Sequence, residues 1–520
     1  MFLILSNKPT MKSIIYAMAI IFVLASCNKD VNERVVADFE PSNIDSLGGT
    51  WKTIHLVSSA DIAVPVPQAI NSAAYKAELD QIVSMQQAMG TEDNRIINRW
   101  KNSGVIRWNE VARELVSVYN IPPEANPDGT YPVPSAANPG AYPKFPFANP
   151  PYASRAYAYL HTAMYDALVT VWKYKFQYKR MSPAVNDSRV KSLETIQSNL
   201  PSYPSEDAAV AQVAYRMLKV LFPNDTIMLQ QMASEQKRAK MMSGIASATD
   251  IAAGEQIANA VADKALARLR TDGMGAAVGN PGLWAQMEQD AVARGNTMPW
   301  KSMELPARPM MLAMFGNVKL WHISPSQRDS LRPEAPPPVG SDQFKKELEE
   351  VRSIRRDQNS REWQIALYWA DGVGTYTPPG HWNEIAALKV GEEKLNELRT
   401  ARVFSLLNMG MADAAICCWD TKAYYFSARP TQIDGSIKTI GLPNFPGYTS
   451  GHSTFSGAAA TVLGYIFPAS KPKYDAMAQE ASLSRIYGGI HFRADCEVGL
   501  RCGKAIGGFS VRFGEKDGSQ

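Results

Sequence analysis

P-N-F-P-G-Y-T-S-G-H-S-T-F-S-G-A-A-A-T-V-L-G-Y, running from Pro443 to Tyr465, changes character halfway along. Prolines and glycine hold its first residues, Pro443 to Gly447, in a loop. From Ser453 on, small and apolar residues predict a helix, with Ser456, Gly457 and Ala458 allowing a neighbouring helix to approach closely. Ser450, Gly451 and His452 therefore fall at a helix N-terminus, where free backbone N–H groups and the positive dipole end favour an anion. Gly451 lets the backbone come close to a ligand, and Ser450 offers a hydroxyl.

Working outward, two more clusters flank this turn. In K-A-Y-Y-F-S-A-R-P, Lys422 and Arg429 are seven residues apart. On a helix that spacing is two turns and puts both cations on one face, with Pro430 stopping the helix after Arg429. A solvated basic face is the plain alternative, but Tyr424, Tyr425 and Phe426 argue for burial, where unpaired cations need an anion. In S-R-I-Y-G-G-I-H-F-R-A-D, from Ser484 to Asp495, Gly488-Gly489 breaks the helix between Arg485 and His491. If a new helix begins there, His491 and Asp495, four residues apart, stack on one face. The carboxylate would then take the proton of one ring nitrogen and leave the other free as nucleophile or ligand. Two histidines, three cations, a hydroxyl and a flexible amide are what is needed to hold a tetrahedral or trigonal-bipyramidal oxyanion.

The rest reads as helical scaffold. Lys76 to Val118 has apolar residues at helical spacing, and R-A-Y-A-Y-L-H-T-A-M-Y-D-A-L-V, Arg155 to Val169, is alanine-rich and helical. His161 within it, like His55 and His322, is read as an ordinary structural histidine. Helices are predicted at Glu206 to Leu221, Asn224 to Met242, Asp250 to Arg270, Ser341 to Arg356 and Ser360 to Trp369. The proline-rich stretch from Ile121 to Pro151 is an extended arm, and residues 273–342 are an irregular insertion that would roof a site. No alternating hairpin pattern repeats, so the fold class is all-α, a helical bundle with long loop insertions and an N-terminal extension.

The chain has 520 residues and a net charge of +4, which with no basic run excludes a nucleic-acid groove and favours small-molecule partners. Met11-Lys12-Ser13, the apolar run Ile14 to Leu24 and Ala25-Ser26-Cys27 resemble a bacterial lipoprotein signal. Cys27 would then be lipidated, giving a periplasmic or cell-surface protein on the outer membrane that meets the membrane only through its lipid. An uncleaved anchor or plain secretion signal is the alternative. No later window is expected to reach membrane length. Cys417, Cys418, Cys496 and Cys502 would pair or stay free, and their spacing is not that of a zinc site.

The three clusters resemble the K-x6-R-P, S-G-H and S-R-x5-H-x3-D motifs of the superfamily uniting type 2 phosphatidic acid phosphatases, bacterial acid phosphatases and vanadium-dependent haloperoxidases. The departure is Thr449, where that superfamily usually has proline. Y-W-A-D-G-V-G-T-Y-T-P-P-G-H-W-N-E, Tyr368 to Glu384, is similar to a segment of the haloperoxidase branch whose aspartate pairs with the second arginine, so Asp371 would hold Arg485. Trp419 and Phe445 stand where that branch has pocket aromatics, and His381 would line the pocket mouth or make a structural hydrogen bond.

The chain is expected to divide into a signal peptide over 1–27, an N-terminal extension with the proline-rich arm over 28–150 and, where the resemblance applies, a haloperoxidase/phosphatase-like helical domain over 151–515 with its motif core at 368–505. It implies vanadate bound by Lys422, Arg429, Arg485, Ser450 and Gly451, ligated by His491 with Asp495 behind it, and His452 as acid or base in peroxide-dependent halide oxidation. The alternative is a cofactor-free acid phosphatase with His491 as nucleophile. A third reading, a glycan-capturing lipoprotein, would use Trp284 and Trp321 as stacking platforms.

Overall fold

The structure, a computed structural model, describes residues 36–101, 103–129, 145–197 and 199–520. The expected lipidation site Cys27 and residues 130–144 of the proline-rich arm lie outside the described residues.

The N-terminal stretch read as helical is three helices, α1 (Ala73–Gln87), α2 (Thr91–Trp100) and α3 (Gly104–Tyr119). Ser72 and Ser103 accept N–H bonds from Tyr75 and Ile106 and so start α1 and α3. Helix α4 (Pro150–Tyr178) opens on the Asn149 cap with proline in its first turn. Next come α5 (Glu206–Leu221), α6 (Thr226–Met242) and α7 (Ala248–Arg270), close to the predicted spans. The stretch 273–342 is less irregular than its composition suggests, since it contains α8 (Pro281–Ala293) and α9 (Pro325–Leu331). The chain closes with α10 (Asp342–Ser353), α11 (Arg361–Tyr368), α12 (Thr377–Glu393), α13 (Glu397–Tyr425), α14 (Gly451–Ile466), α15 (Lys471–Tyr487) and α16 (Arg493–Gly514). Among the described residues there is no strand, only one isolated bridge between Pro299 and Ser427. The fold is all-helical, as expected.

Helix α13 is the axis: it packs on α4 on one side and on α14 and α16 on the other. By length and composition it is apolar enough to cross a membrane, against the expectation that no such stretch exists, yet its apolar span is wholly buried inside the protein. A helix apolar all round is a core helix when neighbours surround it. Within that core, Asn109, His161, Asn383 and Asn408 form a chain of side-chain hydrogen bonds of 2.7 to 3.3 Å joining α3, α4, α12 and α13. Burial pushes the His161 ring down to about 4, so it is neutral and structural.

Two buried carboxylates fasten the long connections to this core through backbone N–H groups. Asp166 on α4 accepts from Ile54, His55 and Leu56 at 2.6 to 3.2 Å. Asp413 on α13 accepts from Trp321 and His322 at 2.7 and 2.9 Å. Trp321 is used internally: the Arg268 guanidinium covers it at 4.1 Å and Tyr159 packs at its edge. The Trp284 indole N–H is bonded to the Val278 carbonyl, which fixes the edge of that ring.

Helices α14 and α16 touch backbone to backbone. A Cβ at Gly503 would lie 2.1 Å from the Thr454 carbonyl oxygen, and one at Gly457 2.5 Å from that of Leu500. The close approach anticipated at Gly457 thus fixes the N-terminal turn of α14, which carries the S-G-H cluster. Cys417, Cys418, Cys496 and Cys502 are free thiols.

Candidate oxyanion site

Lys422 lies in the last turn of α13, but Arg429 is not on that helix. Phe426 takes a left-handed conformation (φ 47°) and ends α13, and the chain turns before Arg429 opens a single turn over Pro430–Ile433. The 296–300 segment sets this stop, because Asn296 Nδ2 and the Trp300 N–H occupy the Phe426 carbonyl at 3.0 and 2.8 Å. The expectation of a shared helical face fails for that reason. Both cations nevertheless reach one place, through the loop before α14. Lys422 Nζ donates to the carbonyls of Pro446 and Gly447 at 2.8 and 2.9 Å. Arg429 Nε donates to the Phe445 carbonyl at 2.9 Å, and its Nη1 to that of Ile490 at 2.7 Å.

Phe445 lies between the two charges, its ring centroid 5.0 Å from Lys422 Nζ and 5.0 Å from Arg429 Cζ. Trp419 packs on Phe445 with centroids 5.0 Å apart, its indole N–H bonded to the Met311 carbonyl. The pocket aromatics named from sequence therefore face the cations.

Ser450 is the N-cap of α14, and its hydroxyl accepts the Ser453 N–H at 3.3 Å. The helix starts at Gly451, two residues before the expected Ser453, and Ser450, Gly451 and His452 stand at its N-terminus as anticipated. A Cβ at Gly451 would meet only Phe455 and Trp419, both at 3.9 Å, so packing within the protein does not require glycine there.

His491 and Asp495 meet, though not as two residues of one helix. His491 precedes α16, whose N-cap is Phe492, and Asp495 is in the first helical turn. One carboxylate oxygen, Oδ2, takes both His491 Nδ1 at 2.9 Å and the Phe492 N–H at 3.1 Å. Arg429 Nη1 lies 3.3 Å from the other ring nitrogen, Nε2. The arrangement fits the tautomer with the proton on Nδ1, which leaves the Nε2 lone pair facing the guanidinium.

Asp371 does not pair with Arg485. Its carboxylate takes His381 Nδ1 at 3.1 and 3.2 Å, and it acts on Arg485 only through space. Arg485 instead donates to Ser484 Oγ at 2.9 Å and to the Ala366 carbonyl at 3.0 Å. His381 is buried rather than at a pocket mouth, bonded to Asp371 and Tyr368 and stacked on Trp369. His452 Nε2 stands 4.0 Å from Asp371 Oδ2 and, among the described residues, is buried without a hydrogen-bond partner.

The charge balance defines the site. Lys422, Arg429 and Arg485 are 0, 0 and 1 % exposed, and among the described residues none has a carboxylate at ion-pair distance. Burial drives Lys422 down to about 8 and both arginines down to about 10. His491 is held well below its ordinary value by burial, and then by Arg429, Lys422, His452 and Arg485. His452 is likewise lowered by burial and by Arg485. Burial raises the Asp495 carboxyl, against the pull of Lys422, the Phe492 N–H and Arg429. Three buried cations, an orphaned imidazole nitrogen and a helix N-terminus with an unfilled glycine side fit a small, multiply charged oxyanion. The carbonyls of Phe445, Pro446, Gly447 and Ile490 that aim the cations had no sequence signal, because a backbone acceptor looks the same at every residue.

With this geometry in place, known proteins can be compared. Residues 403–518 match the family described as the PAP2 superfamily. The vanadium chloroperoxidase of Curvularia inaequalis is 35% identical over 130 residues, 18% of this chain and 21% of that protein. The chain thus matches about a fifth of that curated relative's length. Among solved structures it resembles a bacterial vanadium-dependent iodoperoxidase, with a TM-score of 0.53 and 24% identity over 70% of this chain and 91% of the other. It also resembles an apo-type bacterial vanadium-dependent chloroperoxidase, with a TM-score of 0.50 and 12% identity over 71% and 95% of the two chains. The fold is like that of the vanadium haloperoxidases.

Proposed function

We propose that the chain is a vanadium-dependent haloperoxidase-type enzyme that oxidises halide with hydrogen peroxide, tethered through lipid on Cys27 to the outer membrane and facing the periplasm or the cell surface. The observation that carries this reading is the set of three buried cations with no carboxylate at ion-pair distance among the described residues. Each would be costly to bury without an anion.

Lys422, Arg429 and Arg485 would neutralise the oxygens of vanadate, with the Ser450 hydroxyl and the Gly451 N–H adding hydrogen bonds. His491 Nε2 would be the ligand, its lone pair kept available because Asp495 takes the Nδ1 proton. When bound, vanadate supplies a Lewis-acidic centre that activates hydrogen peroxide towards a halide nucleophile. His452 Nε2, unpartnered on the Asp371 side, would take and return the peroxide protons. A bound anion raises the pKa of this imidazole by offsetting Arg485, and so brings it towards working pH. Trp419 and Phe445 exclude water beside the cations.

The match of residues 403–518 to the PAP2 superfamily favours a second reading, an acid phosphatase on the same residues. His491 Nε2 would attack phosphorus, the ester P–O bond would break, and His452 would protonate the leaving alkoxide before water hydrolyses the phosphohistidine. The test is peroxide-dependent bromination of a dye with and without orthovanadate, run beside hydrolysis of a chromogenic phosphate ester. Vanadate-dependent bromination lost in His491→Ala is the expected result. No bromination at any pH, with phosphate release abolished by His491→Ala, would establish the phosphatase instead.

A further inference from the structure

Away from the oxyanion site, a cavity of about 510 Å³ lies where the C-terminal ends of α4 and α6 meet the N-terminal ends of α5 and α13. Its inner wall carries four carboxylates, Glu194, Glu206, Asp207 and Glu397, and two ammonium groups, Lys175 and Lys240. Lys240 Nζ is 2.6 Å from Glu194 Oε2 and 3.7 Å from Asp207 Oδ1, and Lys175 pairs with Glu206. Glu397 has no ammonium at ion-pair distance among the described residues; its oxygens accept the Gly104 and Val105 N–H groups at 2.7 and 3.3 Å and the Ser103 hydroxyl. With Glu397 ionised, and with the exposed rim groups Asp38, Glu40, Lys101 and Lys394 balancing one another, the lining is short of positive charge by two.

A separate observation points the same way. Among the described residues, Glu194 Oε1, Gln197 Oε1 and Ser182 Oγ, all on this wall, are buried without a hydrogen-bond partner. The Glu194 side chain is only 7 % exposed. Native proteins rarely leave buried acceptors unbonded unless a ligand or water supplies the donor. Among the described residues no group of three or more His, Cys, Asp or Glu side chains is placed to hold a metal ion. Burial, with Asp207 and Glu206 close by, pushes the Glu397 carboxyl up to about 8, as expected of an acid lacking its positive partner.

We propose that this cavity is a binding site for a small organic cation carrying primary ammonium groups, whose N–H donors serve Glu194 Oε1 and Gln197 Oε1 and whose charge serves Glu397. The two cations missing from the wall and the two orphaned acceptors are answered by one ligand class.

The experiment is isothermal titration of the purified protein with putrescine, and with 1,4-butanediol as its neutral counterpart. Saturable putrescine binding is expected, with none for the diol. Glu397→Gln and Glu194→Gln should each weaken it by about tenfold, the scale of one charge-assisted hydrogen bond, and Gln197→Leu by about threefold. If Glu397→Gln does not fold, the other two variants carry the test. Absence of putrescine binding, equal binding of the diol, or wild-type affinity in every folded variant would overturn the proposal.

Discussion

Arg429 brings a guanidinium nitrogen to 3.3 Å from His491 Nε2, on the face of the imidazole opposite its bond to Asp495. A cation so close to a nitrogen lone pair keeps that nitrogen unprotonated. The ring is thus held with one end committed to a carboxylate and the other ready for an electrophilic centre that an anion brings with it.

The carboxylate half of this arrangement is tested by Asp495→Asn. The amide can still accept from Nδ1 but no longer stabilises positive charge on the ring. Orthovanadate affinity should fall by about 10–100-fold, the usual range for removing the partner of a ligating histidine. Titration by difference absorbance measures it, and unchanged affinity would detach Asp495 from the site.

Lys422 gives the cradle a pH signature. Burial lowers it from 10.5 to about 8, so between these values the unfolded chain binds more protons than the native one and stability rises with pH. From neutral pH to pH 9 this group should therefore add stability as pH rises. Thermal unfolding of wild type and Lys422→Met across this window isolates it as the difference between their slopes. Added orthovanadate, which favours the charged lysine, should flatten the wild-type slope.

Asp371 sits 4.0 Å from His452 Nε2, and Arg485 lowers that imidazole through space. Removing the carboxylate charge in Asp371→Asn leaves Arg485 unopposed, so the His452 pKa should fall further. The limb of the rate profile that needs protonated His452 should move to lower pH by about one unit. A shift in the opposite direction would mean that Asp371 does not act on His452.

Gly503→Ala tests how the anion seat is held. Its Cβ would lie 2.1 Å from the Thr454 carbonyl oxygen, which is backbone and cannot move aside alone. The variant should lose roughly 1–3 kcal/mol in chemical denaturation, the cost of overpacking a close interface. It should also weaken anion binding, because Thr454 is two residues beyond His452.

How far the sequence carries this site depends on where each constraint is stored. Ser450-Gly451-His452 was readable because Pro443 to Gly447 and the small residues after Ser453 mark loop and helix locally, and the structure starts α14 at Gly451. The stop of α5 at Pro223 is likewise local. Arg429 was placed on the wrong element because the stop at Phe426 comes from Asn296 and Trp300, more than a hundred residues earlier. Nothing local distinguishes that phenylalanine from one inside a helix. Asp371 went to His381 rather than Arg485 for a similar reason: α12 presents the imidazole ten residues on. Helix α13 looks like a membrane span by composition and is a core helix by position, a difference that only its neighbours α4, α14 and α16 decide.

The central claim is that Lys422, Arg429, Arg485 and His491 form one anion cradle, and equilibrium binding of orthovanadate with phosphate as competitor tests it most directly. Saturable one-to-one binding, displaced by phosphate and abolished in folded Arg429→Met and His491→Ala proteins, is the expected result. A folded wild-type protein that binds neither oxyanion, or variants that bind both as wild type does, would contradict the account.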